Sequence, residues 1–360
     1  MREWIIGKRC KMTISKNKAG EYAKRGVGIA IIPVICLVVM SIACAASGTS
    51  LFASQSSFQL YFRGLAYVLL LSFGVSINMH TGRFDFSTGA QMLIGGVIGA
   101  KIAYASGLGP VGMILIGAVS SAIFGCITGL LYVALRLPPM IIGLCMTLVL
   151  EGVVAIITGG LKPVGFGTDS SYYSFAVNIG AMTVIMLIAL AFMIVVFHYT
   201  KFGYDYRALQ TGQKIAVNTG VNEKSNAVIC YTISGMMFGA AGALSICSTN
   251  GVTPTINFST IATMFSCFLP LFFSGFIGKY CNKQIAILLG CISYEFIQIG
   301  FGQISFKIAS FTSDVYKVIE AVILVVFLIY LNNENKIIEL VKLKNFIKKR
   351  KDGSAAAEEQ

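Results

Sequence analysis

Charge is what this sequence has least of. Only 12% of its 360 residues are Asp, Glu, Lys or Arg, while 56% are hydrophobic and the mean hydropathy is +0.78. A soluble domain carries about 25% charged residues, so the balance excludes a set of soluble domains and describes a bundle of membrane helices. Histidine is almost missing as well. His80 and His198 stand far apart at the ends of apolar runs, with no HExxH pattern and no nucleophile elbow, which excludes the common hydrolytic sites. A Walker A loop is absent too, because Gly275, Gly278 and Lys279 have the wrong spacing and no Ser or Thr follows. The chain therefore shows no catalysis or ATP hydrolysis of its own and calls for no cofactor and no metal. Cysteine is plentiful at ten, yet Cys36, Cys44, Cys126, Cys145, Cys230, Cys247, Cys267 and Cys291 lie in apolar runs, where the thiol behaves as a small hydrophobe. Without a CxxC pair or Cys/His spacing, neither a zinc nor a redox role follows.

What is present is a series of apolar runs of spanning length, each of roughly 17 to 25 residues. They cover 27–47, 62–79, 89–106, 110–135, 140–158, 179–199, 226–247, 259–277, 284–302 and 315–331. The fold expected is all-α and polytopic, with about ten spans and room for an internal inverted repeat. The first run ends in ACAAS, which resembles a signal-peptidase site, but it is long for a signal sequence and further spans follow; an uncleaved anchor is expected. Residues 1–26 form a basic arm, 27–331 the transmembrane domain and 332–360 a basic tail, with an uncharged polar loop expected at 48–59. With the N-terminus inside, 23 of the 28 basic residues fall on the cytoplasmic side and 5 (Arg63, Lys101, Lys162, Lys307 and Lys317) outside. This positive-inside asymmetry argues for both termini in the cytoplasm and accounts for the net charge of +13 without nucleic acid.

Small residues recur four apart at Gly95 and Gly99, Gly125 and Gly129, and Gly235 and Gly239, with Gly242 following, which predicts close helix packing in lipid. Pro138 and Pro139 mark the boundary between two spans.

The stretch 82–99, GRFDFSTGAQMLIGGVIG, breaks the apolar pattern. It sets Asp85 between Phe84 and Phe86 and follows with Ser87, Thr88 and Gly89. Backbone leaves helical geometry at membrane depth only where protein or a water-filled cavity satisfies it. The stretch is therefore either a plain interhelical loop or the lining of a substrate pathway. Asp85, Glu151, Glu295 and Glu320 are acids within or beside spans, where charge is costly and faces a cavity or a partner. Glu320 has Lys317 three residues earlier for a local pair. The other three are candidates for a coupling acid if the chain were an ion-driven secondary transporter. The segment 200–225 is the longest cytoplasmic loop, and its recurring Ala208, Leu209, Ile215, Ala216 and Val217 predict short helices broken at Gly212 and Gly220.

Three pieces together resemble one family. GRFDFSTGAQMLIGGVIGA is similar to the GGIDLSVGS-type stretch of the ribose-type sugar permeases of ATP-binding cassette (ABC) importers. LRLPPMIIGLCMTLVLEGVVAIITGG resembles the family's basic-plus-proline turn, the span after it and its closing TGG. FGYDYRALQTGQKIAVNTGVNEKS, with the span after it, resembles the loop that couples permease to ATPase, through Phe202, Gly203, Ala208, Gly212, Ile215, Ala216, Gly220 and Val221.

The resemblance implies a membrane-embedded subunit that pairs with a second permease, as homodimer or heterodimer. Cytoplasmic ATPase subunits would dock on residues 200–225 through Gly203, Ala208, Gly212, Ala216 and Gly220, and an extracytoplasmic solute-binding protein would deliver the solute. The implied cargo is a sugar or similar small polar solute. Asp85, Ser87 and Gln91 would hydrogen-bond it, Phe84 and Phe86 would stack on its apolar face, and Glu151 would also line the pathway. Gly89 to Gly95 also echo nucleoside permeases of the same architecture, so a nucleoside or other small metabolite is the alternative cargo. Downstream the pattern departs. FLPLFFSGFIGKYCNKQ keeps only Ser274, Gly275 and Gly278 of the family's glycine-rich turn.

Overall fold

The computed structural model describes residues 25–167 and 169–308, together with 315, 317–319, 321–326 and 329. Residues 1–24 of the basic arm, the whole tail at 332–360 and Glu320 lie outside the described residues. The chain divides into two compact units, Met1–Lys307 and Ile308–Gln360. In the second, the residues described at 315, 317–319, 321–326 and 329 are helical.

The first unit is a helical bundle. Its long helices are α1 (Arg25–Ala46), α2 (Gln55–Met79), α3 (Thr88–Ser106), α4 (Gly109–Leu135) and α5 (Pro139–Ile157). After a two-residue strand β1 (Val164–Gly165) come α6 (Ser171–Val177), α7 (Ile179–Tyr199), α8 (Lys201–Thr211), α9 (Gln213–Asn218) and α10 (Glu223–Thr249). The strand β2 (Gly251–Val252), a single 3₁₀ turn Ser259–Ile261, α11 (Ala262–Phe265), α12 (Phe268–Ile277) and α13 (Lys283–Lys307) complete it. Eight helical stretches among the described residues are long and apolar enough to cross a membrane. The run at 89–106 corresponds to α3, a further 19-residue helix diluted by Thr88, Gln91, Lys101 and four glycines. The tenth run, 315–331, is described only in part.

Local chemistry sets the boundaries. Pro138 caps α5 and Pro139 opens it, where a missing N–H costs nothing. Asn178, Thr200 and Asn222 cap α7, α8 and α10 by accepting from the first-turn N–H groups of Gly180, Gly203 and Ser225. Two expectations shift. The polar stretch 48–59 is not wholly loop, since α2 begins at Gln55, and the run 259–277 is not one smooth helix but breaks at Ser266 and Cys267.

The contacts define alternating helix directions. α2 lies antiparallel to α10, with Arg63 beside Ser248 and Asn78 beside Ser234. α3 and α4 meet the same way, Gln91 against Ser121 and Gly99 against Met113. One end of the bundle gathers the turns at 80–87, 136–138, 199–222 and 278–282. There Tyr206 donates to Ile77 O at 2.9 Å and Lys283 to Gln210 at 2.7 Å. This end carries Arg83, Arg136, Lys201, Arg207, Lys214, Lys224, Lys279 and Lys283. At the other end β1 pairs with β2, Val164 opposite Val252, and Lys101 donates to Ile157 O.

The core is a glycine-lined contact of α3, α4 and α10. A Cβ on Gly239 would lie 2.1 Å from Gly117 O, and one on Gly242 1.9 Å from Met92 O. The helices approach so closely that no other residue fits there. Outward, Leu115, Val119 and Ile123 of α4 and Val184, Leu187 and Ile188 of α7 are exposed, the face expected to meet lipid.

Candidate functional site

Gln91 accepts from Ser121 through its carbonyl near the middle of α4. About 20 Å of α4 then extends past Ser121 toward the basic end, at roughly 1.5 Å per residue. α3 thus starts deep inside the bundle, and the non-helical residues 80–87 run down to reach it. The backbone there is satisfied by protein, as membrane depth requires. Gly82 turns with φ +73°, and Arg83 N–H bonds Asn78 O at 2.9 Å.

Asp85 folds this stretch on itself. Its Oδ1 accepts from Ser87 N–H at 2.9 Å and Ser87 Oγ at 2.6 Å, and its carbonyl accepts from Thr88 Oγ1. Gln91 Nε2 donates to Ser87 Oγ at 2.7 Å. Asp85, Ser87 and Gln91 are therefore one buried chain of hydrogen bonds. Each end of it keeps a bare acceptor. Asp85 Oδ2 and Gln91 Oε1 are buried and accept no hydrogen bond among the described residues. Phe86 lies 6.3 Å from the Phe265 ring, and Phe84 is half-buried beside it in sequence.

From the opposite end a second non-helical stretch descends between α10 and α11. Asn257 and Phe258 take positive φ, and the 3₁₀ turn begins at Ser259. Glu151 holds it there. Its Oε2 accepts from Phe258 N–H at 3.0 Å, and its Oε1 accepts from Thr260 N–H at 3.1 Å and Thr260 Oγ1 at 2.7 Å. An anionic side chain at a helix start is favourable on dipole grounds as well. The two stretches touch, since a Cβ on Gly89 would lie 1.9 Å from Thr260 O.

All six pathway candidates thus fall in two adjoining groups, Phe84, Asp85, Phe86, Ser87 and Gln91 on one stretch and Glu151 clamping the other. Sequence reasoning missed the residues that join them. Thr147 Oγ1 lies 3.0 Å from Phe86 O, and the absent side chain of Gly143 leaves room for Asp85 Oδ1. Gly143, Thr147 and Glu151 are each four apart on α5, a spacing that was there to be read.

Glu295 stands elsewhere, on α13, its carboxylate filling the space that Gly64 leaves on α2. The histidines bond locally, His80 Nδ1 with Ser76 O and His198 Nδ1 with Arg207.

At the basic end, α8 and α9 form the short broken helices expected at 200–225. Gly203 is packed on Phe197 O, 2.4 Å from where a Cβ would stand, and Gly220 turns with φ +94°. Ala216 is buried, while Ala208, Ile215 and Val217 are exposed. Burial holds the Tyr206 phenol well above its ordinary range, so it remains a donor to the last turn of α2.

The family model described as branched-chain amino acid transport system / permease component matches residues 57–330. The chain belongs to this family. It is 26% identical over 190 residues to the ribose import permease of Bacillus subtilis (strain 168), covering 52% of this chain and 59% of that one. To the galactose/methyl galactoside import permease of Escherichia coli (strain K12) it is 26% identical over 255 residues, 64% of this chain and 74% of that one. The galactofuranose transporter permease of the same organism is 24% identical over 280 residues, 77% and 79% of the two chains. These relatives are permeases and not enzymes, and the chain is a multi-pass protein of the cell membrane.

Proposed function

We propose that this chain is the translocation subunit of an ABC importer for a sugar or similar small polar solute. The observation that carries the reading is the buried Asp85–Ser87–Gln91 chain with two bare acceptors, where two non-helical stretches meet inside the bundle. Sugar hydroxyls are donors suited to Asp85 Oδ2 and Gln91 Oε1, and Phe84 and Phe86 supply an apolar face for the ring. Glu151 has both oxygens engaged with Phe258 and Thr260, so it fixes the second stretch beside the path. Broken helices facing one another at mid-depth are a common design for substrate sites in transporters. The acceptors are sealed from solvent, so solute reaches them only when the two stretches part; an energy source must drive that opening.

In this reading the energy comes from ATPase subunits docked on α8 and α9. Ile215 is 73% exposed and Val217 43%, apolar surface at the charged end of the bundle that a partner would cover. Gly203, Ala216 and Gly220 shape the loop, and Ala208 and Gly212 face the partner. A second permease copy and an extracytoplasmic solute-binding protein complete the assembly. The nearest neighbour of a Cβ on Gly212 is Ile215 at 3.5 Å, an ordinary contact, so a bulky residue there, checked for unchanged membrane abundance, tests docking. The tagged chain isolated from its native membranes in mild detergent should bring down an ATPase subunit, and Gly212→Trp should release it. Retention of the ATPase by Gly212→Trp, or purification of the unaltered chain alone, contradicts the docking.

A further inference from the structure

Arg83 stands in the turn after α2, where charge counting assigns it to the basic surface, yet it is 3% exposed. Its NH1 donates to Thr81 Oγ1 at 3.2 Å, and its guanidinium carbon lies 5.8 Å from the centre of the Tyr132 ring on α4. Its NH2 is 3.8 Å from Glu223 Oε1, at the start of α10. The same oxygen accepts from Nε2 of Gln213, the first residue of α9. One carboxylate oxygen therefore joins α9 to Arg83, two residues before Asp85.

We infer that Gln213, Glu223 and Arg83 form the tie through which movement of α9 reaches the polar stretch around Asp85. The inference rests on the permease reading above, with α8 and α9 as the docking elements. α8 is held separately, by Tyr206 on Ile77 O, so the route from α9 runs through Glu223. A buried cation cannot cheaply lose its counter-charge, because the uncompensated charge stays in a low-dielectric site. When Glu223 shifts with α9, staying behind would leave the buried Arg83 without its counter-charge, so Arg83 follows and draws on the backbone that leads into Asp85. A cavity of about 250 Å³ beside the pair, lined by Tyr132, Arg136, Glu223 and Lys224 among others, gives room for that shift. Arg136 and Lys224 there offer Glu223 other cations once it leaves Arg83. Arg83 and Glu223 are thus positioning residues: they act on the pathway through the segment they hold.

The test co-expresses the full chain with the ATPase subunit and solute-binding protein that co-purify with it from its native membranes. It follows uptake of labelled ribose and galactose, ATP hydrolysis in isolated membranes and membrane abundance. Gln213→Ala alters an exposed side chain and leaves the bundle interior untouched. Glu223→Gln removes the charge but keeps the shape. Both should lower uptake by about tenfold, within the usual range of coupling between sites, with abundance and ATP hydrolysis retained. Arg83→Glu combined with Glu223→Arg should recover part of the loss seen for either change alone. Unchanged uptake per ATP in Gln213→Ala and Glu223→Gln overturns the tie, as does abundance falling in step with uptake. Absence of ATP-dependent uptake by the unaltered chain removes the permease reading and the tie with it, an outcome distinct from the first two.

Discussion

At the scale of single residues, the account turns on Asp85. Asp85→Asn keeps an oxygen for Ser87 N–H and Ser87 Oγ, whereas Asp85→Ala leaves both donors without their acceptor. An unsatisfied buried polar group costs about 1–3 kcal/mol, so Asp85→Ala should lower the thermal midpoint in detergent by a few degrees. It should lower sugar uptake far more than membrane abundance, and an equal fall of both would make Asp85 structural. A second residue-scale case is Gly64. A Cβ there would stand 1.9 Å from Glu295 Oε1, so Gly64→Ala should destabilise the fold by about 1–3 kcal/mol as overpacking does. Adding Glu295→Ala should return the midpoint toward that of Glu295→Ala alone, and no such return would remove the contact. Asp85 and Glu151 were legible in the sequence because an acid in an apolar run needs a reason. Their partners were not. The four-residue spacing puts Gly143, Thr147 and Glu151 on one face of α5, but nothing in the letters says that Gly143 meets Asp85 or that Thr260 meets Glu151, since tertiary contact alone brings them together.

Among elements, the second polar stretch depends on Glu151. Glu151→Ala takes the acceptor from Phe258 N–H, Thr260 N–H and Thr260 Oγ1, three part-buried hydrogen bonds worth about 0.5–1.5 kcal/mol each. Amide exchange at 258–268 should speed up while α4 and α10 stay protected; unchanged exchange at 258–268 would show that Glu151 does not hold it. The long helices were readable from apolar length and from Pro138 and Pro139, and the glycine spacing foretold the α3–α4–α10 contact. The break in 259–277 was legible in one letter: Pro270 has no N–H for Ser266 O and crowds that carbonyl, so a helix arriving from α11 stops at Ser266 and Cys267 and restarts with Pro270 in the first turn of α12. What was not readable is the Glu151 clamp on the turn before it. The strands β1 and β2 were hidden, being two residues each and pairing Val164 with Val252 and Gly165 with Gly251.

For the whole molecule, the helix directions and the basic residues agree on two unlike ends. A cysteine placed at the exposed Gly160 should react with a membrane-impermeant maleimide on intact cells, and one at Val217 only after permeabilisation. Reversal of the two would invert the topology. The positive-inside pattern made this much legible, and the motif order made the family legible. The cargo is not written in either, because the residues around Asp85 offer acceptors common to many hydroxylated solutes. The claim that unites these scales is that partner ATPases part the two polar stretches to pass a sugar. It is tested by the rate of labelled-sugar uptake into cells carrying this chain together with the ATPase and solute-binding protein that co-purify with it from native membranes. The account predicts uptake that stops when the ATPase is inactivated by mutation and withstands a proton ionophore added at constant cellular ATP. Uptake that continues with the inactive ATPase and collapses with the ionophore would contradict it.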